Sequence, residues 1–130
     1  MGPIKVLLAD DEESILEIMA GKVRGAGYDV ITAVDGEDAW AKIQSENPDI
    51  IVLDLTMPKM DGWEVLRQVR SNPTSKKWQP VIIVSALGDV DHVQKGLELQ
   101  ADHYLTKPCR IEDIIKAIRL MVSLIPLRNH

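Results

Sequence analysis

The chain has 130 residues, 45% of them hydrophobic and 27% charged, with a net charge of −5 and one cysteine. This is a globular composition, long enough for a single domain over residues 1–130 with its own core, and it excludes disordered, collagen-like and disulfide-stapled classes. No stretch reaches the roughly 18 apolar residues of a membrane span, residues 1–5 carry no secretory signal, the lone Cys109 fits a reducing compartment, and the acidic excess argues against a duplex-binding surface, so a soluble cytoplasmic protein without direct nucleic-acid binding is expected.

Residues 4–9 are mostly apolar and end at Asp10-Asp11, the pattern of a buried strand. Asp10 and Glu13 form a capping-box pattern for a first helix, whose face is traced by Ile15, Ile18, Met19, the stem of Lys22, and Val23 until Gly25 and Gly27 stop it. Residues 28–33 are β-branched and aromatic and give a second strand. A second helix runs from Asp35-Gly36 to about Glu46 on Ala39, Trp40 and Ile43, and ends at Asn47-Pro48. Residues 49–53 lack polar alternation, as expected of a central strand covered on both faces.

Pro58 and Gly62 enclose a loop before a third helix over about 62–70, with Trp63, Leu66, Val69 and Arg70 alternating between core and solvent. Residues 71–79, with Asn72-Pro73, form a surface connection. A fourth strand covers 80–84 and stops at Ser85; a short fourth helix covers 90–99; His103-Tyr104-Leu105 is a brief fifth strand before Lys107-Pro108. The last helix carries Ile111, Ile114, Ile115, Ile118, Met121, Val122 and Ile125 at helical spacing, and Pro126 stops it.

Strict β-α alternation implies an α/β fold with a doubly wound five-stranded parallel sheet and helices on both faces, because each parallel pair needs a right-handed crossover. Polar groups end strands one, three, four and five, all at the carboxyl edge where such sheets bind ligands. With the flavodoxin-like strand order 2-1-3-4-5, taken by analogy with known folds, the first and third strands are neighbours and Asp10, Asp11 and Asp54 meet.

Singly, each of these residues has a plainer role. Asp10 reads equally well as a helix cap, Asp11 as a first-turn acid, Asp54 as a turn former, Ser85 as a cap and Lys107 as a solvated lysine. Together they suit phosphoryl chemistry. Carboxylates about 4 Å apart repel by roughly 4 kcal/mol per pair at an effective dielectric near 20, so a cation is needed. Mg²⁺ fits an oxygen-only set with no clustered Cys or His. Lys107 adds positive charge, Ser85 can donate to a phosphoryl oxygen, and Asp54 is placed as a carboxylate nucleophile.

Five blocks carry a family resemblance: Leu8-Ala9-Asp10-Asp11-Glu12, residues 52–58 around Asp54, Met60-Asp61-Gly62, Val84-Ser85-Ala86, and residues 101–108 ending in Thr106-Lys107-Pro108. In this order and spacing the chain resembles the receiver domain of two-component response regulators over about residues 4–124. The resemblance implies that Asp54 takes a phosphoryl group from a histidine kinase or histidine phosphotransfer protein. It implies Mg²⁺ on Asp10 or Asp11, Asp54 and the Thr56 carbonyl, Lys107 on the phosphoryl group, and a cis peptide before Pro108. It further implies that Ser85 moves inward, that Tyr104 follows, and that the face of helix 4, strand 5 and helix 5 changes for an output partner. Such a protein catalyses its own phosphoryl transfer and slow autodephosphorylation, and is monomeric or dimerises on phosphorylation.

Gln100 stands where many members carry glycine, so a missing left-handed cap and a shifted or frayed helix end are expected there. Thr56 and Leu87 match positions that tune phosphoryl lifetime. Cys109 reads as a small buried filler ahead of a redox sensor, Trp63 as packing or a partly exposed probe, and none of His92, His103 and His130 lies in a phosphohistidine pattern. The enzyme alternative is a haloacid-dehalogenase-like phosphohydrolase, which usually needs a second acid where Thr56 stands. A nucleotide- or flavin-binding module lacks its glycine-rich loop after the first strand, and a receiver-like module that has lost phosphorylation is at odds with the intact Asp, Ser and Lys set.

Overall fold

The structure is a computed structural model that describes residues 3–73, 77–88 and 90–128. His130 and the middle of the 71–79 connection, both read from sequence, lie outside the described residues. Strands and helices alternate in the order β1 (Lys5–Ala9), α1 (Glu13–Gly25), β2 (Asp29–Ala33), α2 (Gly36–Glu46), β3 (Ile50–Asp54), α3 (Gly62–Ser71), β4 (Val81–Ser85), α4 (Val90–Glu98), β5 (His103–Thr106) and α5 (Ile111–Arg128). All pairings are parallel, in the order β2-β1-β3-β4-β5.

The period-2 alternation of strand side chains divides the core in two. Val6, Leu8, Ile50, Val52, Ile82 and Val84 face α1 and α5, whereas Leu7, Ala9, Ile51, Leu53, Val81 and Ile83 face α2 and α3. Every residue of β3 and β4 is buried, which explains their unbroken apolar runs. Each fully buried Leu or Ile contributes roughly 1.5–3 kcal/mol relative to exposure, so this double layer fixes register and, with it, the positions of the strand-end polar groups.

Four sequence expectations are corrected. The buried face of α1 is Leu16, Met19, Ala20 and Val23, while Ile15, Ile18 and Lys22 are exposed. Apolar residues on α1 form two interleaved stripes, and only the docking surface selects between them. The capping box is absent: Glu12 is the N-cap residue, and Asp10 accepts from the Glu12 N–H at 2.9 Å two residues too early to cap. Pro126 does not end α5, which continues to Arg128. Proline keeps a helical φ, so near a helix end it removes one hydrogen bond without forcing a stop.

Gln100, finally, does not lack the left-handed conformation; it adopts it, with φ of 68°. Its N–H donates to the Leu97 carbonyl at 3.0 Å and the Ala101 N–H to the Gly96 carbonyl at 2.9 Å. This is a Schellman ending for α4 with glutamine in the usual glycine place.

Candidate functional site

Register alone brings two of the acids together. Ala9 stands opposite Leu53 in the β1–β3 ladder, so the next pair along is Asp10 with Asp54. By alternation both project on the α1/α5 side of the sheet. Asp11 follows at once, and carboxylate oxygens of Asp10, Asp11 and Asp54 lie within 4.8 Å of one another. Asp10 and Asp54 are 3% and 7% exposed, and Asp11 faces solvent.

The two buried carboxylates are held in the same way. Asp10 Oδ1 accepts from the Glu12 N–H at 2.9 Å and Asp54 Oδ1 from the Thr56 N–H at 3.0 Å. These are Asx-type contacts that orient each group by the two residues after it. Their Oδ2 atoms share one ammonium: Lys107 Nζ lies 2.9 Å from Asp54 and 3.3 Å from Asp10. Lys107 reaches them because β5 ends beside β4, with Thr106 opposite Ser85, and because its own N–H donates to the Ser85 carbonyl at 2.7 Å. The Lys107-Pro108 peptide is cis. Burial pulls the Lys107 ammonium down, but the hydrogen bond and charge of Asp54, then those of Asp10, outweigh it and hold the group above the ordinary lysine value.

One ammonium faces three carboxylates, so ionised acids leave an excess of negative charge. The donors are all oxygen, and among the described residues no Cys or His belongs to the group. This set fits a hard divalent cation that accepts one or two carboxylates and keeps waters, which is the habit of Mg²⁺. A cavity of about 400 Å³ opens beside the acids, lined in part by Ala9, Asp10, Val52, Asp54, Lys107 and Cys109. The Cys109 thiol is pushed up by burial and then by the Asp113 charge, with Lys107 opposing. That environment makes it a poor nucleophile.

Ser85 stands apart from this group. It is fully buried, it follows Val84, the register partner of Asp54, and by alternation it projects to the opposite side. Its Oγ accepts from the Leu87 N–H at 3.0 Å. The Tyr104 hydroxyl donates to the Leu87 carbonyl, so the backbone of one residue, Leu87, links Ser85 to Tyr104. Sequence reasoning missed the part that Leu87 plays in that link, and it missed the residues that shape the loop after Asp54. Gly62 donates its N–H to the Leu55 carbonyl at 2.9 Å, and a Cβ there would lie 2.7 Å from Leu55 Cα. The Asp-Gly pair at 61–62 was visible, but its closeness to the backbone of Asp54 was not.

Comparison with known proteins places these residues in a family. The sequence model of the response regulator receiver domain matches residues 6–119. The chain is 44% identical over 117 residues to the alkaline phosphatase synthesis transcriptional regulatory protein PhoP of Bacillus subtilis, covering 88% of this chain and 48% of that protein. It is 38% identical to the transcriptional regulatory protein TrcR of Mycobacterium tuberculosis, covering 90% of this chain and 44% of that protein. The chain thus spans about half the length of these curated relatives. Among solved structures, a Francisella response regulator 1452 receiver domain superposes with a TM-score of 0.85 at 36% identity, covering 94% of this chain and 98% of that one. The chemotaxis protein CheY4 of Vibrio cholerae superposes with a TM-score of 0.84 at 32% identity, covering 92% and 99%.

Proposed function

The chain belongs to the response regulator receiver family of two-component signalling, and we propose that it acts there as a phosphoacceptor switch centred on Asp54. The observation that carries this reading is the ammonium of Lys107 held between Asp54 Oδ2 at 2.9 Å and Asp10 Oδ2 at 3.3 Å, at the carboxyl edge of the central strands.

The phosphodonor is a phosphohistidine on a histidine kinase or histidine phosphotransfer protein. A carboxylate oxygen of Asp54 forms the new bond to phosphorus while the bond from phosphorus to the donor imidazole breaks, and the electron pair returns to that ring nitrogen. The Thr56 N–H and Lys107 aim the Asp54 carboxylate before transfer. Once Asp54 carries the phosphoryl group as an acyl phosphate, Lys107 exchanges its carboxylate for a phosphoryl oxygen and offsets the charge that has arrived. Mg²⁺, held by Asp10 or Asp11, Asp54 and the Thr56 carbonyl, would supply the remaining neutralisation when bound.

Ser85 is the group that reports the change. Its hydroxyl accepts from the Leu87 N–H, and turning it toward a phosphoryl oxygen frees the Leu87 backbone and, with it, the Tyr104 hydroxyl bonded to the Leu87 carbonyl. The face of α4, β5 and α5 is thereby altered for an output partner, a two-state element biased by a local charge. Because the curated relatives are transcriptional regulators about twice this length, the output addressed by that face is transcriptional control.

Incubation with acetyl phosphate and Mg²⁺ should add one phosphoryl group by intact-mass spectrometry, and Asp54→Asn should remove it. Equal labelling of that variant would reject the assignment.

A further inference from the structure

Residues between β3 and α3 carry Thr56, whose N–H holds Asp54 Oδ1 at 3.0 Å. One flank of this loop is closed by Gly62. The other rests on a turn from a different part of the chain. Gly36 donates its N–H to the Pro58 carbonyl at 3.4 Å, and the same carbonyl accepts from the Met60 N–H at 2.8 Å. A Cβ on Gly36 would sit 2.7 Å from Met60 Cβ and closer still to the Met60 carbonyl, which is backbone and cannot rotate aside. Beside it, Asp35 Oδ1 caps α2 through the Asp38 N–H at 2.7 Å, while its Oδ2 meets Lys59 Nζ at 3.5 Å. Lys59 has a φ of 69°, a conformation that costs a non-glycine residue energy and that its surroundings must impose.

We infer that the Asp35-Gly36 turn is a positioning element for the phosphoacceptor loop. The bare α-carbon of Gly36 and the carboxylate of Asp35 set residues 56–60 against the end of β3, and so keep the Thr56 N–H on the Asp54 carboxylate. The inference rests on the acceptor reading of Asp54. Neither Asp35 nor Gly36 touches the acids; both act through the loop. A side chain at residue 36 would push Met60 and Pro58 outward and carry the Thr56 peptide with them.

The test is Gly36→Ala, with Gly21→Ala as control, since a Cβ at Gly21 meets nothing within 4 Å. Without any phosphodonor, the Thr56 amide resonance should shift and exchange faster with solvent in Gly36→Ala. With acetyl phosphate and Mg²⁺, labelling of Asp54 should slow by roughly 10- to 100-fold, the scale of a misplacement near 1 Å, with little change in the donor concentration for half-saturation. Gly21→Ala should behave as the unmodified chain on both counts. If Gly36→Ala does not fold, Asp35→Ala carries the test, with the same Thr56 signature and a slowing of roughly threefold, because its partner Lys59 is well exposed. An unshifted Thr56 amide with an unchanged labelling rate in the folded variant would overturn the inference. An unmodified chain that takes no label overturns the acceptor reading instead, and the Thr56 amide still decides the positioning role.

Discussion

Lys107 Nζ stands 2.9 Å from Asp54 Oδ2, so in the resting chain the proposed nucleophile is tied to the only ammonium that meets the acid cluster among the described residues. That pairing leaves Asp10 with a longer contact of 3.3 Å and Asp11 exposed without a contact to Lys107. The cluster is therefore short of positive charge, and a divalent cation should stabilise the fold. At a Mg²⁺ concentration 100 times its dissociation constant the gain is about 2.7 kcal/mol. Thermal unfolding in Mg²⁺ and in EDTA measures it. Asp11→Asn should unfold at a slightly higher temperature than the unmodified chain in EDTA, because a repulsion is relieved, and should lose most of the Mg²⁺ response. An undiminished response would remove Asp11 from the cation site.

The same ammonium sets an alkaline limit. Its affinity for protons in the folded chain is raised above the ordinary value of 10.5. A raised value means that Lys107 stabilises the fold fully below pH 10.5 and loses that effect as pH climbs through the folded-state value. In EDTA, the urea midpoints of the unmodified chain and Lys107→Met should differ by a constant amount between about pH 7 and 9 and converge above pH 10.5. A gap that persists to about pH 12 would show that packing of the lysine stem, not its charge, is what the substitution removes.

The Leu87 backbone gives a second test of the switch. Its N–H is held by Ser85 and its carbonyl by Tyr104. Ser85→Ala should still accept a phosphoryl group on Asp54, while the Leu87 amide exchanges faster even before phosphorylation. The loss of one hydrogen bond costs about 0.5–1.5 kcal/mol. Tyr104 ring resonances should then respond less to phosphorylation than in the unmodified chain. A full Tyr104 response in Ser85→Ala would sever the two residues.

Much of this site was legible in the sequence because parallel strands end at one edge and register is set by buried apolar runs. Once β1 and β3 are neighbours, Asp10 and Asp54 must be opposite each other, and Lys107 follows β5 to the same edge. What could not be read is geometry decided by a partner surface. Ile15 and Leu16 are equally apolar, and only the packing of α1 on β1, β3 and α5 buries Leu16 and exposes Ile15. At Gln100 the family resemblance marked the place of a left-handed cap, but not that a glutamine would adopt it, since that is forced by the two hydrogen bonds ending α4.

Gln100 accordingly carries a removable cost. A non-glycine residue in the left-handed region is about 1–2 kcal/mol above its ordinary conformations, partly offset by the entropy glycine loses on folding. Gln100→Gly should stabilise the chain by about 0.5–1 kcal/mol, a rise of about 2–4 °C in the unfolding midpoint at this size. Gln100→Ala, which keeps the strain, should not. Equal gains from both would place the effect in the side chain.

Arg70 anchors the end of the sheet opposite the acids. Its guanidinium donates to the Gln100 carbonyl at 3.0 Å, the Gln79 carbonyl at 2.8 Å and Asp102 Oδ2 at 2.7 Å. Asp102 also accepts from the Val81 N–H at 2.8 Å and the Trp78 indole at 3.2 Å. One planar cation thus joins the last turn of α3, the start of β4 and the turn between α4 and β5. Both charges are largely buried, with 16% and 15% of their side chains exposed, so removing the arginine takes the counter-charge from Asp102 and a donor from two carbonyls. Arg70→Ala should cost about 3 kcal/mol in urea unfolding, and Arg70→Lys should recover less than half, because an ammonium cannot reach three acceptors in one plane. Acetyl phosphate labelling of Asp54 should be unchanged in either variant under conditions where it is folded, since the network lies at the amino ends of β4 and β5 and the acids at the carboxyl ends of β1 and β3. A labelling rate that falls in step with stability would mean that the two edges of the sheet are coupled through β4.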